Sequence, residues 1–281
     1  MSCLLSIIIP TYNRTNELEN LLHSIFSNDF FNVDNMEVLV IDQNTNAITE
    51  TIKIRYPNAL WYNVDFKGLS QAKNYGICKS KGEWVCFPDD DSKFLKHTLL
   101  SFLEYQNNEQ IDIISGKCID EYGKDSVANF RNIFYKLDKS NISGGFIEAN
   151  CFTRKIVFTK YNFDEKLGAG KFHGAEEGYD WLFRILKHNQ FNVYYSPNIQ
   201  IFHPQTILDK SSEYSLKRVF SYRAGYAYLC RKNGLWLKYY KRTLFVSLSI
   251  PFFFFFNRVN YKYYISELKG LIIGLIKYNK V

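Results

Sequence analysis

An α/β fold built on a mostly parallel sheet is the class this sequence predicts, and three observations predict it. Apolar runs of strand length alternate with stretches of helical spacing through the first half of the chain. Each strand-like run ends in a polar loop, which is where open sheets of this kind collect ligands. The 281 residues suffice for one large domain and an appendage, since single cores stop growing near ~250 to 300 residues.

The elements follow in order. Residues 4–9 (LLSIII) read as a buried strand, and Thr15–Phe26 places Leu18, Leu21, Leu22, Ile25 and Phe26 at helical spacing. Met36–Asp42 (MEVLVID) is a second strand, residues 68–80 a helix, residues 83–88 (EWVCFP) a third strand and residues 97–105 another helix. Beyond residue 110 come the short strand-like pieces IDIISG, NVYYSP and IQIFHP and one clear helix over Glu177–His188. One domain over 1–205 is expected, in two halves, 1–110 and 111–205.

Composition supports a folded chain with a basic tail. Hydrophobic residues make up 46%, which leaves little reason to expect disorder. Residues 206–281 hold 14 Lys/Arg against 3 Asp/Glu, whereas 1–205 hold 21 against 25, so the net +7 resides in the tail. Six scattered cysteines form no C-x-x-C pair, which argues against a zinc site or disulfide framework and fits a reducing cytoplasm. No signal peptide is apparent, and the apolar run 244–256, broken by Pro251, is shorter than the ~20 residues a spanning helix needs.

Three loops hold the chemistry: residues 10–14 (PTYNR), 42–44 (DQN) and 89–91 (DDD). In an extended segment Asp89 and Asp91 point the same way and can converge on a hard cation such as Mg²⁺ or Mn²⁺ that also holds diphosphate oxygens. Asp89–Asp91 equally suit a solvated turn capping the next helix. The order SIIIPTYNR, VLVIDQN, GLSQAKNYGICKSKGEWVCFPDDD resembles the family 2 glycosyltransferases of the GT-A fold, across about residues 4–205.

That resemblance implies roles, beginning with a catalytic domain over 1–205 whose nucleotide-binding half is 1–110 and whose acceptor half is 111–205. Pro10, Thr11 and Tyr12 would line the nucleobase pocket with Arg14 beside them, and Asp42 would accept a hydrogen bond from the base imide, or else end its strand in an Asx turn. Lys73 stands where the family usually has Arg, near the diphosphate or the base. Asp89 and its neighbour Asp90 belong to the donor side, Asp89 at the ribose, while Asp91 would bind the metal. His203, in IFHPQ, falls at the family's His-Pro and is a further metal-ligand candidate. The segment FDEKLGAGKFHGAEEGYDWLFRIL resembles the one that carries the catalytic base of inverting enzymes. Glu177 is the first candidate, with Asp180 and Glu176 behind it. The sequence departs from the usual Glu-Asp pair, because Gly178 follows Glu177, and acids here also suit a helix N-terminus. Gly145 and Asn150 are assigned to the acceptor side, or to a simple turn.

The tail interleaves Tyr, Trp and Phe with Lys and Arg over 214–245, the composition of a helix in the headgroup region of an anionic bilayer. A membrane-associating region over 206–281 is expected, or helices packed on the catalytic domain. A nucleic-acid partner does not explain the apolar run LFVSLSIPFFFFF. The sequence thus predicts an inverting, metal-dependent transferase. Its donor would be a nucleotide sugar, UDP-linked by the family pattern, and its acceptor a saccharide or lipid-linked saccharide in surface polysaccharide synthesis. It would sit on the inner face of the cell membrane. The rivals are a non-catalytic nucleotide-sugar-binding or scaffold protein and a nucleotidyltransferase, the latter disfavoured by the lack of a triphosphate-binding glycine loop.

Overall fold

The structure, a computed structural model, describes residues 3–205 and 209–277. The boundary expected at residue 206 therefore falls on residues 206–208, outside the described residues. The elements are β1 (Leu5–Thr11), α1 (Thr15–Phe26), β2 (Met36–Asp42), α2 (Glu50–Arg55), β3 (Ala59–Asn63), α3 (Leu69–Lys79), β4 (Trp84–Cys86), β5 (Lys93–Phe94), α4 (Thr98–Leu103), β6 (Ile113–Ile119), β7 (Tyr135–Lys136), β8 (Cys151–Arg154), α5 (Glu177–His188), β9 (Val193–Phe202), α6 (Glu213–Asn233), α7 (Trp236–Phe256) and α8 (Arg258–Ile276). They form two compact units. One comprises residues 3–66, Ala72–Asn162 and 181–205; the other comprises Lys67–Gln71, Phe163–Asp180 and 209–277.

The first unit holds the sheet, in the order β3-β2-β1-β4-β8-β6-β9-β5, with β7 added to β9. The strands β3, β2, β1 and β4 are mutually parallel. Their continuous apolar runs are explained by burial on both faces: every residue of β1 is buried. α1 covers this half with Leu18, Leu21, Leu22 and Ile25. Beyond β4 the sheet becomes mixed, because β8 runs antiparallel to both β4 and β6, and β6 then pairs parallel with β9. α5 is anchored by Trp181, whose ring stacks on Phe158 at 5.3 Å and whose indole N–H donates to the Tyr161 carbonyl at 2.8 Å.

The pieces 192–197 and 199–204 are expected as separate strands, yet they form the single strand β9, which runs through Pro197. The proline is accommodated where the β6–β9 register shifts between Ser115 and Lys117. Gly116 is required at this bulge: a Cβ there would lie 2.1 Å from the Ile199 carbonyl oxygen. β3, β5, β7, β8 and α2 are elements that the sequence pattern did not announce.

In the second unit, α6, α7 and α8 pack around Ala227, Cys230, Tyr239, Val246 and Leu271. α6 and α8 approach closely because their seam is lined by small residues; a Cβ on Gly274 would lie 2.4 Å from the Ala224 Cα. Ser212 caps α6 by accepting from the Ser215 N–H, and Gly234, at φ 70°, ends it. The stretch 214–245, expected as one headgroup helix, therefore divides at Gly234. α6 buries Val219, Ala224, Ala227 and Leu229, whereas on α7 only Tyr239 and Val246 are buried. Among the described residues, no helix is long and apolar enough to cross a membrane.

Candidate functional site

The parallel strands β1, β2 and β4 deliver their polar loops to one edge of the sheet, because parallel neighbours end on the same side. Two loops are stitched together directly: Asn13, at φ 58°, donates its backbone N–H to the Asn44 side-chain oxygen at 2.9 Å. Thr11 at the end of β1 donates its hydroxyl to Asp90 at 3.0 Å, joining the first loop to the acidic turn. Arg14 spans the same turn, with one guanidinium nitrogen 3.0 Å from Asp90 and 2.5 Å from Asp91. Pro10 is buried in β1, and Tyr12 is exposed at the rim.

The three aspartates have different surroundings. Asp90 is buried; burial pushes its carboxyl up to about 6, with the charges of Asp91 and Asp89 adding to the rise and Arg14 and the Thr11 hydroxyl opposing it. Asp89 goes the other way. Burial raises it, but the hydrogen bond and charge of His203, with Lys73 and Arg14, more than offset that and hold it below the usual carboxylate range.

His203 closes the cluster from the end of β9. Its Nε2 lies 3.6 Å from an Asp89 oxygen and 3.5 Å from Asp91 Oδ1. Its other ring nitrogen, Nδ1, is 2.9 Å from the Pro204 carbonyl oxygen; an N–H there donates to that carbonyl, so the protonated ring also donates from Nε2 to Asp89, and loss of the Nε2 proton leaves a lone pair facing the carboxylates. Burial lowers the imidazole's affinity for a proton, but Asp89, the Pro204 carbonyl and Asp91 together raise it above the ordinary value. One ligand atom from each of Asp89, Asp91 and His203 lies within 4.8 Å of the others. Asp91 Oδ1 is buried without a hydrogen-bond partner in the described residues. A buried carboxylate oxygen without a donor is costly, and a hard divalent cation held by two carboxylates and an imidazole would satisfy it. The donor set fits Mn²⁺ or Mg²⁺.

The remaining expected residues find defined partners. Asp42 is fully buried at the end of β2, and both carboxylate oxygens accept: Oδ1 from the Asn44 backbone N–H at 2.9 Å and side-chain amide at 2.6 Å, Oδ2 from the Thr49 hydroxyl at 2.5 Å and Asn63 at 3.5 Å. The Asx turn is present, and Asn63 is its weakest partner. Lys73 is 2% exposed and forms a buried ion pair with Glu148, a residue the sequence reading missed. No local pattern connects two charges so far apart in the chain. Asn150 bridges the β6 bulge, donating to the carbonyls of Lys117 at 2.9 Å and Ile199 at 3.0 Å, while Gly145 leaves room for the Tyr135 ring.

The candidate bases lie in the second unit. Asp180 is fully buried and sealed by Lys232 at 2.8 Å and the Asn233 amide at 3.0 Å, which ties the first turn of α5 to the last turn of α6. Glu176 sits at φ 76°, a left-handed conformation that costs energy for a non-glycine residue. Burial pushes its carboxyl up to about 7, and Glu177 adds to this while Arg223 and Lys238 oppose it. Glu177 opens α5 with its carboxyl beside Gly168, which adopts φ 102°. The structure thus groups Glu176, Glu177 and Asp180 in one unit and the Asp89–Asp91–His203 cluster in the other.

The fold and the cluster define the class: an α/β protein of the GT-A type, with a mixed sheet and flanking helices. The family model described as glycosyl transferase family 2 matches residues 6–166, and the chain belongs to that family. It is 28% identical over 184 residues to the GalNAc(5)-diNAcBac-PP-undecaprenol beta-1,3-glucosyltransferase of Campylobacter jejuni, a match covering 61% of this chain and 57% of that protein. It is 30% identical over 203 residues to an uncharacterized glycosyltransferase of Haemophilus influenzae, covering 68% of this chain and 65% of the relative. The chain thus spans less than two thirds of the length of either. Among solved structures, S. aureus TarS 1-349 in complex with UDP-GlcNAc matches 99% of this chain and 92% of its own at 18% identity and a TM-score of 0.60. The Pyrobaculum calidifontis mannosyltransferase PcManGT in complex with GDP-Man and Mn²⁺ matches 99% and 87% at 13% identity and a TM-score of 0.58. These structural likenesses establish the fold.

Proposed function

We propose that this chain is an inverting, metal-dependent glycosyltransferase that moves a sugar from a UDP-sugar donor to a saccharide or lipid-linked saccharide in cell-surface glycan synthesis. The observation that carries the reading is the Asp89–Asp91–His203 cluster, with its unpartnered Asp91 oxygen, at the end of β4 in a family 2 chain. The bound donors of the TarS and PcManGT structures support a nucleotide-sugar donor, the undecaprenol in the Campylobacter name supports a lipid-linked acceptor, and the Mn²⁺ of the second structure supports the metal.

In this reading residues 1–205 are the catalytic domain and 206–281 a membrane-associating region on the inner face of the cell membrane. Pro10, Thr11 and Tyr12 hold the nucleobase, with the exposed Tyr12 ring as a stacking face. The imide N–H of the base takes the place of Asn63 on Asp42, since that 3.5 Å contact is the easiest to exchange. Arg14, Lys73, Asp89 and Asp90 frame the ribose and diphosphate; Asp91 and His203 would hold the metal, with Asp89 offering it a further carboxylate oxygen. A bound Mn²⁺ or Mg²⁺ supplies positive charge to the diphosphate as it leaves. Glu177 accepts the proton of the acceptor hydroxyl as that oxygen attacks the anomeric carbon from the side opposite the diphosphate. Glu176 and Asp180 shape its surroundings, and Gly145 and Asn150 lie on the acceptor side.

The test is donor turnover against UDP-sugars with Mn²⁺, in wild type and Asp91→Ala. The proposal expects turnover that a chelator removes and that Asp91→Ala abolishes in a protein with unchanged helicity. Equal turnover in the two proteins removes the site assignment.

A further inference from the structure

Helix α7 exposes one long apolar face. Leu237, Leu244, Leu248, Phe252 and Phe255 recur at helical spacing on the side opposite the buried Tyr239 and Val246, and all five are exposed. Phe255 reaches 78% exposure, and Phe256 next to it 75%. At ~1.5 Å per residue this face runs about 30 Å; Lys241 interrupts it near its start, and from Leu244 to Phe255 it is apolar throughout, more apolar surface than a soluble helix ordinarily leaves uncovered.

The charges around it have a single sign. Between residues 214 and 277 Glu267 is the one acid. It is fully buried, paired with Arg223 of α6 at 2.7 Å and Arg242 of α7 at 2.5 Å. The exposed charges of the α7–α8 pair are therefore cationic, and they flank the apolar face at both ends. Lys238 and Lys241 stand at its start, and Arg258 and Lys262 lie just past its end in α8. The Arg258 guanidinium rests on the Phe254 ring at 4.5 Å.

We infer that α7 lies in the plane of an anionic bilayer surface, with the Leu237–Phe255 face sunk into the boundary between headgroups and acyl chains. Cations at both ends select this orientation. Tip-first insertion of the α7–α8 turn would carry Arg258 into hydrocarbon, where a charge is expensive, whereas an in-plane helix keeps all four cations among the phosphates. The placement rests on the membrane-surface part of the proposed function. It moves the contact from 214–245 to a face of α7, since α6 spends its apolar side on α8.

Sedimentation of the full chain with vesicles of phosphatidylcholine, with and without phosphatidylglycerol, tests this. Leu248→Glu with Phe252→Glu, at exposed positions that leave helicity unchanged, is expected to lower vesicle affinity at least about tenfold. Lys238→Gln with Lys241→Gln should remove only the preference for phosphatidylglycerol. The emission that Leu244→Trp and Phe255→Trp each add to that of the four native tryptophans should be quenched equally by lipid brominated high in its acyl chain. Deeper quenching at Phe255 overturns the in-plane placement. Wild-type binding that the double Glu variant retains removes this face while leaving membrane association intact, whereas a wild type that binds no vesicle removes both. A lipid-free dimer that the double Glu variant dissociates assigns the face to a second copy and overturns the inference.

Discussion

Replacing Glu148 with Leu isolates its buried pair with Lys73. The Lys73 side chain is 2% exposed and that of Glu148 11%, so neither charge has water to fall back on. Removing one partner of such a pair costs about 3 to 5 kcal/mol, and the slight exposure of Glu148 together with the Asp89 charge acting on Lys73 puts the cost near ~3. For a chain of this size that corresponds to a fall in Tm of about 6 to 12 °C. Adding Lys73→Met to Glu148→Leu removes the undercompensated charge and is expected to recover more than half of the loss. Thermal unfolding of wild type, both single variants and the double completes a cycle whose coupling term isolates the pair. A fall below about 1 kcal/mol in Glu148→Leu, or additive losses in the double variant, would show that the pair is solvated and refute the reasoning.

Two further predictions concern the acids at the start of α5. The Glu176 carboxyl is pushed up to about 7, so between the ordinary range near 4.5 and about 7 the folded chain binds a proton that the unfolded chain does not. Stability from this group is therefore present at low pH and lost as pH rises through that window. Glu176→Gln should match wild-type stability near pH 4 and exceed it at pH 8, and parallel curves across that range would contradict the assignment. Glu177→Gln is expected to slow sugar transfer while donor affinity, measured by calorimetry, stays near wild type; an unchanged rate would move the base to another acid.

Much of the fold was legible because its parts obey local rules. Thr15–Phe26 and Glu177–His188 match the expected limits because their apolar residues recur at helical spacing, and Met36–Asp42 because its apolar run is buried almost throughout. β8 was not legible: four residues give only two periods of alternation, and its place between β4 and β6 is decided by tertiary pairing. Pro197 hid the continuity of β9, because a proline inside a strand ordinarily signals its end. At the site, the spacing of Asp89 and Asp91 suited a shared cation and a solvated turn equally, and the family pattern decided between them. His203 was reached through the family pattern, and Glu148 had no signal, since a lone Glu before a short strand carries none. The left-handed Glu176 was equally hidden, as conformational strain leaves no mark on residue type.

The central claim is that Asp89, Asp91 and His203 hold a cation together. Titration of Mn²⁺ in the presence of UDP, followed by loss of the free-ion electron paramagnetic resonance signal, tests it most directly. The account predicts saturable binding by the wild type that Asp91→Asn and His203→Ala each weaken at least about tenfold. Equal Mn²⁺ affinity in the wild type and both variants would contradict it.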